Sequence, residues 1–321
     1  MICVVRRTHA AAIAILMILS LLFTASGCTS GNGGAGMEEI IYNKTEAGQK
    51  LSGAFSIQIQ STEGTLEAGL HTVACSFSGK LDISATADGY ALTLTELQIS
   101  IKAGDASVEY DSANHYSDEA AALRILPYEA LMGVTYEIQI NEEGKVVSLS
   151  GYSKVLDYIA QRARPYGETA LAQAQYAATE YFGEGNLAYL AEKLLGSVPY
   201  QTIAAGRSWS HSSGILEPYQ YVVTEQTVYE GIQNQHYQFT QSGTLSSDES
   251  AAQEPFQYTL SGTAEGSISL DCANPLLRTV RYSENINGTY LGSTANAAAG
   301  RPISIQKQLT GSITQHTDGA S

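Results

Sequence analysis

The stretch Asp88–Ala103, DGYALTLTELQISIKA, decides the fold class. Tyr90, Leu92 and Leu94 alternate with small or polar residues, and Leu97, Ile99 and Ile101 resume the alternation after a slip of one position. A period of two places all six on one face of a pleated strand. The run therefore predicts a half-buried antiparallel strand with a β-bulge between Leu94 and Leu97. Asp88-Gly89 ahead of it is a hairpin signal, with glycine expected to supply a positive φ.

Outward from this stretch the same alternation recurs in Phe55, Ile57 and Ile59, in Leu81 and Ile83, and in Tyr136, Ile138 and Ile140, with Glu143-Gly144 as a second turn signal. From Ser153 the texture turns helical. Val155, Leu156 and Ile159 share one helix face, Pro165 interrupts, and Ala170–Phe182 is rich in strong helix formers. Leu187, Leu190, Leu194 and Leu195 follow Asn186 as a predicted cap, and Gly196 is the predicted stop. The period of two returns in Tyr219, Tyr221 and Val223, in Tyr237 and Phe239, in Ile268 and Leu270, and in Ile303, Ile305 and Leu309. The order strands, helices, strands predicts a β-dominated α+β protein built of duplicated antiparallel sheet units. The first unit is 38–152, the helical connection 153–196 and the second unit 197–321. Leu190 and Leu194 are expected to face the interior.

The first 37 residues carry an address. Arg6 and Arg7 precede an apolar run, Ala10–Phe23, of the length of an export signal rather than a membrane span. Ala25-Ser26-Gly27-Cys28 then looks like a lipobox: small residues fit a narrow peptidase site, and the Cys28 thiol is the nucleophile that takes a diacylglycerol. Residues 1–27 are thus read as a lipoprotein signal peptide, and 28–37, rich in Gly and Ser, as a flexible tether. This predicts an exported chain anchored through lipid on Cys28 at the outer face of the cytoplasmic membrane, or in an outer membrane where the organism has one.

Removing residues 1–27 takes away two arginines and no acid, so the formal charge moves from −15 to −17. Such a chain, with no run of Lys or Arg, repels nucleic acid, and a nucleic-acid partner is not expected. Cys3 leaves with the signal and Cys28 takes lipid, which leaves Cys75 and Cys272. Export permits a disulfide between them. Two separately buried thiols fit equally, since free cysteine behaves as a small hydrophobe. Neither has a second Cys or His at zinc-ligand spacing.

Several landmarks together resemble an uncharacterised family of bacterial lipoproteins known only as a domain of unknown function. They are Asp88-Gly89-Tyr90 leading into Leu92, Ile99 and Ile101, Tyr110-Asp111-Ser112, Tyr136–Ile140 with Gly144-Lys145-Val146, and Pro199, Ile203 and Gly206–Trp209. The resemblance covers about Ser52 to Gln315 and implies an anchored, extracytoplasmic, β-rich domain with no established activity. A more distant likeness of architecture, a curved antiparallel sheet with helices on one face, is to LolA-like carriers of lipidated ligands. The predicted fold is therefore two curved antiparallel units joined by the helical segment.

Asp111, His115, Asp118 and Glu119 offer oxygen and imidazole ligands for a divalent cation. The stretch lacks the glycine-pinned loop of a calcium site, and it equally fits a solvated loop leading into a helix that starts near Ala120. No metal or cofactor is expected. Ser208, Ser210, His211, Ser212 and Ser213 around Trp209 bring serine and histidine together, but no nucleophile turn accompanies them, so they are read as a polar loop with no catalytic residue assigned. Twenty tyrosines mark the composition. Those at strand positions, with Trp209, Tyr219, Tyr221 and Tyr237 as ligand-surface candidates, suit either a binding face or plain half-exposed strands. The function expected is a non-catalytic binding module for a small amphipathic ligand, an envelope component or a protein partner. The alternatives are an envelope hydrolase and a purely structural surface protein.

Overall fold

Alternating apolar residues on successive runs dictate a sheet buried on one face, and the computed structural model consists of one. It describes residues 47–65, 69–116, 118–199, 204–215, 219–247, 258–290 and 300–316, all within one compact unit, 38–321. The predicted signal 1–27 and the tether 28–37 with Cys28 lie outside the described residues. The strands are β1 (Lys50–Thr65), β2 (Gly69–Ala85), β3 (Gly89–Ala103), β4 (Ala106–Asp111), β5 (Thr135–Ile140), β6 (Val146–Ser150), β7 (Ser208–Ile215), β8 (Tyr221–Gln233), β9 (His236–Ser247), β10 (Tyr258–Asp271), β11 (Arg278–Tyr290) and β12 (Arg301–Gln315). The helices are α1 (Glu119–Glu129), α2 (Ser153–Ala163), α3 (Glu168–Phe182) and α4 (Glu184–Leu195), with a single 3₁₀ turn at Arg164–Tyr166 where Pro165 interrupts. Among the described residues no helix is long and apolar enough to cross a membrane.

All twelve strands belong to one curved antiparallel sheet that does not close. Its order is β6-β5-β3-β2-β1-β12-β11-β10-β9-β8-β7, with β4 on the far half of β3. The chain begins at the middle, walks out to one edge, and crosses on the helices to the opposite edge. It then walks back to the middle, where β12 pairs with β1 from Leu51↔Gln315 to Glu63↔Ile303. The two β units are thus halves of one sheet. The predicted bulge is present: Lys80 pairs with Glu96 and Leu81 with Leu94, so Thr95 is the extra residue.

The helices cover the inner face. Phe77 on β2 meets Phe182 edge-on at 5.0 Å and Tyr181 at 5.3 Å, which seats the end of α3 on the sheet. Leu194 is buried as expected, and Leu190 is half-buried. Two caps differ from the sequence reading. α4 starts after Gly183 rather than at Asn186, whose amide donates to the Glu180 carbonyl. Gly196 does end the helix, but the left-handed residue is Ser197 at φ 64°. Glycine is required at 196 because a Cβ there would lie 2.1 Å from the Gly144 carbonyl. The Asp88-Gly89 turn forms, yet Gly89 is there for a similar reason: a Cβ would lie 1.9 Å from the Ile138 carbonyl on β5.

Candidate functional site

A strand's inward positions are every second residue, and the register of five neighbouring pairs lines up one inward row: His211, Glu225, Gly243, Ala264, Glu284 and Lys307. Four of these six are ionisable, an exception on a face that is mostly apolar. Above the row runs α4. Tyr189, Glu192 and Lys193 stand at i, i+3 and i+4 and so share one side of the helix, which is the side turned to the sheet. The result is a buried polar network between α4 and the second half of the sheet.

At one end of the network, the Lys193 ammonium, fully buried, pairs with Glu225 Oε2 and stands over the rings of Tyr282 and Tyr189 at 4.2 and 4.9 Å. His211 Nε2 lies 3.1 Å from Glu225 Oε2 and 3.7 Å from Glu192 Oε1. At the other end, Tyr189 donates to Glu284 Oε1 at 2.6 Å and Tyr221 to Oε2 at 2.7 Å, with the Lys307 ammonium 3.8 Å from Oε2. Burial foremost, then the Glu284 charge, pushes the hydroxyls of Tyr189, Tyr221 and Tyr282 well above the usual phenol range, so all three stay neutral donors.

Glu192 ties the sheet's two open edges together. Its Oε2 accepts from the Val146 amide on β6 at 3.1 Å, and its Oε1 accepts from the Ser213 hydroxyl on β7. Beside it, the Lys145 ammonium donates to the Ser212 carbonyl at 3.0 Å. One corner of the unclosed sheet is therefore laced by side chains where backbone pairing is missing.

Burial would raise the Glu225 carboxyl, but His211, Lys193 and Tyr282 outweigh it and hold it down to about 2, from an ordinary 4.5. A depressed carboxylate contributes stability that is complete above its unfolded value and is lost as pH falls toward its folded one. Stability should accordingly fall by roughly 3 kcal/mol between pH 4.5 and 2, at 1.36 kcal/mol per unit. Glu225→Gln should flatten this part of the curve. Urea midpoints across that range would check it, and identical acid limbs in the two proteins would refute it.

The sequence candidates are distributed as follows. Residues 208–213 form edge strand β7, not a loop. Trp209, His211 and Ser213 point inward, while Ser208, Ser210 and Ser212 are exposed on the outer face. Serine, histidine and acid do meet, but the Ser213 proton goes to Glu192, and His211 Nε2 lies beside the carboxylates of Glu225 and Glu192. Trp209 packs edge-on to Phe239 at 6.0 Å, Tyr237 against Tyr229 at 6.3 Å and Tyr219 edge-on to Tyr258 at 5.3 Å, while Tyr221 is buried in the network. All four are thus packed within the fold and do not form an open stacking face. Asp111 accepts from the Ala113 amide, Asp118 caps α1 through the Ala121 amide, and Glu119 accepts from Tyr166. No group of three metal-ligating side chains occurs among the described residues.

Cys75 and Cys272 are not bridged to one another, so the disulfide option fails. Cys75 shares its row with Ala264 on β10, four strand spacings or roughly 19 Å along the sheet. Cys272 lies eight residues further along the chain from Ala264, whereas a bridge needs Cα atoms within about 7 Å. Burial foremost pushes the Cys75 thiol up. The missed residues are Glu192, Lys193, Glu225 and Glu284.

Under the α3–α4 corner is a cavity of about 40 Å³, lined by Phe55, Leu81, Leu92 and Leu94 of the strands and by Leu187, Leu190 and Leu194 of α4, among other apolar residues. That is room for little more than a water molecule. A larger apolar guest requires α4 to move.

No curated protein matches the sequence. Among solved structures, a lipovitellin structure described for its lipid–protein interactions is 11% identical over 86% of this chain and 26% of its own, with a TM-score of 0.40. The chain thus spans about a quarter of that protein's length. OpdQ of Pseudomonas aeruginosa is 5% identical over 83% of this chain and 97% of its own, with a TM-score of 0.18. The outer membrane protein OmpT of Vibrio cholerae is 7% identical over 82% and 99%, with a TM-score of 0.17. Likenesses this low say nothing of function. A family model of unknown function matches residues 90–276, from the first strand after the Asp88-Gly89 turn to the end of the β10–β11 connection, and the chain belongs to that family, DUF6263.

Proposed function

We propose that the protein is a lipid-anchored, extracytoplasmic binding module for a small amphipathic ligand or envelope component, and that it is not an enzyme. The observation that carries this reading is the wholly apolar cavity between the curved sheet and α4, whose roof is three leucines of one helix. Pockets for greasy ligands are apolar, few and placed between packed layers. The non-catalytic half is supported by the Ser213 hydroxyl, which is committed to Glu192 and covered by α4 instead of being presented to a base beside open space.

Protein purified from membranes and sprayed under native conditions after incubation with envelope lipid extract is expected to carry bound lipid. Leu190→Trp, which fills the cavity without removing apolar surface, is expected to lower that occupancy about tenfold while circular dichroism stays unchanged. Absence of any lipid adduct on the parent protein would remove the proposal.

The anchoring half is supported by Ala25-Ser26-Gly27-Cys28. Each buried methylene of an acyl chain contributes about 0.8 kcal/mol, so two or three chains hold a protein firmly where one does not. Cys28→Ala should appear in the soluble fraction or as unprocessed precursor. Correctly cut Cys28→Ala that stays with the membrane would count against lipidation.

A further inference from the structure

Resting on the binding reading above, we propose that the sheet beneath α4 also holds the ligand's head-group subsite: a cage for an alkylammonium group at Glu225 and the Tyr282 ring, bordered by Gln241, in which the protein's own Lys193 sits in the closed state.

Three inward groups converge over small residues. A Cβ added to Gly266 would lie 2.8 Å from the Tyr282 ring and 2.9 Å from Gln241 Oε1, and one on Gly243 would lie 2.9 Å from Glu225 Cγ. The ring, the amide and the carboxylate therefore lean together over a floor of Gly243, Ala264 and Gly266. Two acceptors in this cluster are unmet: Glu225 Oε1 and Gln241 Oε1 are buried without a hydrogen-bond partner, in residues 1% and 4% exposed. The other atoms of these two side chains are engaged, Glu225 Oε2 by Lys193 and the Gln241 amide nitrogen by Thr227. A carboxylate, a carbonyl-type oxygen and an aromatic face form a set that attracts a desolvated cation and repels an anion. The formal charge of −15 acts in the same direction over longer range.

The cage and the apolar cavity are covered by one helix. The cavity is lined from β1, β2, β3, β5 and β6 and the cage from β8–β11, with β12 between β1 and β11. α4, twelve residues and so about 18 Å long, reaches across both. It lays Leu187, Leu190 and Leu194 over the cavity and Lys193 into the cage, with Leu194 seated on Gly311 so closely that a Cβ there would lie 2.1 Å from its Cδ2. An apolar chain ending in an ammonium has the same layout as this side of α4. Displacement of the helix frees the tail site and the head site together, which is why the ligand class is a single-chain ammonium amphipath and not a neutral hydrocarbon.

The test is a competition by native mass spectrometry on protein purified from membranes, using equimolar lysophosphatidylcholine and lysophosphatidylglycerol with identical myristoyl chains. The choline lipid is expected to lead by about fivefold on the parent protein, and by about tenfold more on Lys193→Met, where the resident cation is gone. Gln241→Leu, which leaves the Lys193–Glu225 pair and the net charge in place, is expected to lower the ratio about threefold. If Lys193→Met fails to fold by circular dichroism, Gln241→Leu decides: a lowered preference supports the cage and an unchanged one overturns it. Equal occupancy by the two lipids on the parent protein overturns the cage while leaving the binding reading standing. No occupancy by either lipid overturns both.

Discussion

Glu225→Ala is expected to lower stability by about 3–5 kcal/mol, because it strands the Lys193 ammonium where no water reaches it. Lys193 is fully buried, and among the described residues its ammonium has one anionic contact within salt-bridge distance, Glu225. His211 loses its 3.1 Å neighbour in the same step. The double variant Lys193→Met/Glu225→Leu should recover most of the loss, since a well-packed apolar pair is often as stable as a buried ion pair. Urea unfolding of parent, single and double variants gives the three values needed. A single-variant loss below about 1 kcal/mol would mean that α4 lifts readily enough for water to solvate Lys193.

Phe77→Ala is expected to cost a similar amount, about 3–5 kcal/mol, for a different reason. Its ring is 1% exposed and touches Tyr181 and Phe182, so truncation opens a void between β2 and the end of α3 and removes two aromatic contacts. Leu70→Ala on the same strand, 67% exposed, should stay within about 0.5 kcal/mol. Comparable losses for Phe77→Ala and Leu70→Ala would show that the helices do not press on the sheet. These two variants separate packing from charge, since Phe77 lies outside the polar network.

Strands and helices were legible because apolar contrast alone sets their period. The bulge at Thr95 was visible as the slip from Leu94 to Leu97, and the helices between Ser153 and Leu195 as a change of spacing. Edge strand β7 was not legible, since its inward residues include His211 and Ser213, and polarity on both faces looks like a loop. The polar network had a signal of its own. Glu225 falls on the apolar phase of Tyr221, Val223 and Tyr229, and Glu192-Lys193 sits inside a leucine-rich helix. A charge in an apolar phase announces a buried partner, but which partner depends on strand register, and register lines up residues as distant as His211 and Lys307. The turn glycines were found for one reason and needed for another: Gly89 and Gly196 make room for a neighbouring carbonyl, and no local pattern reveals a neighbour.

The strand order also sets a timetable for assembly. β1 sits at the centre and needs β2 on one side and β12 on the other, and Leu51 waits for Gln315. β2 is available within a few residues of β1, whereas β12 is the last of the described strands to be made. During N-to-C emergence the long flank of β1, from Leu51 to Glu63, therefore stays open until nearly the whole domain is through, a bare edge of the kind that recruits other chains. The last pairing closes a loop of more than two hundred residues, so folding should be slow, and a chain cut short before Arg301 should aggregate instead of folding to a smaller version of itself.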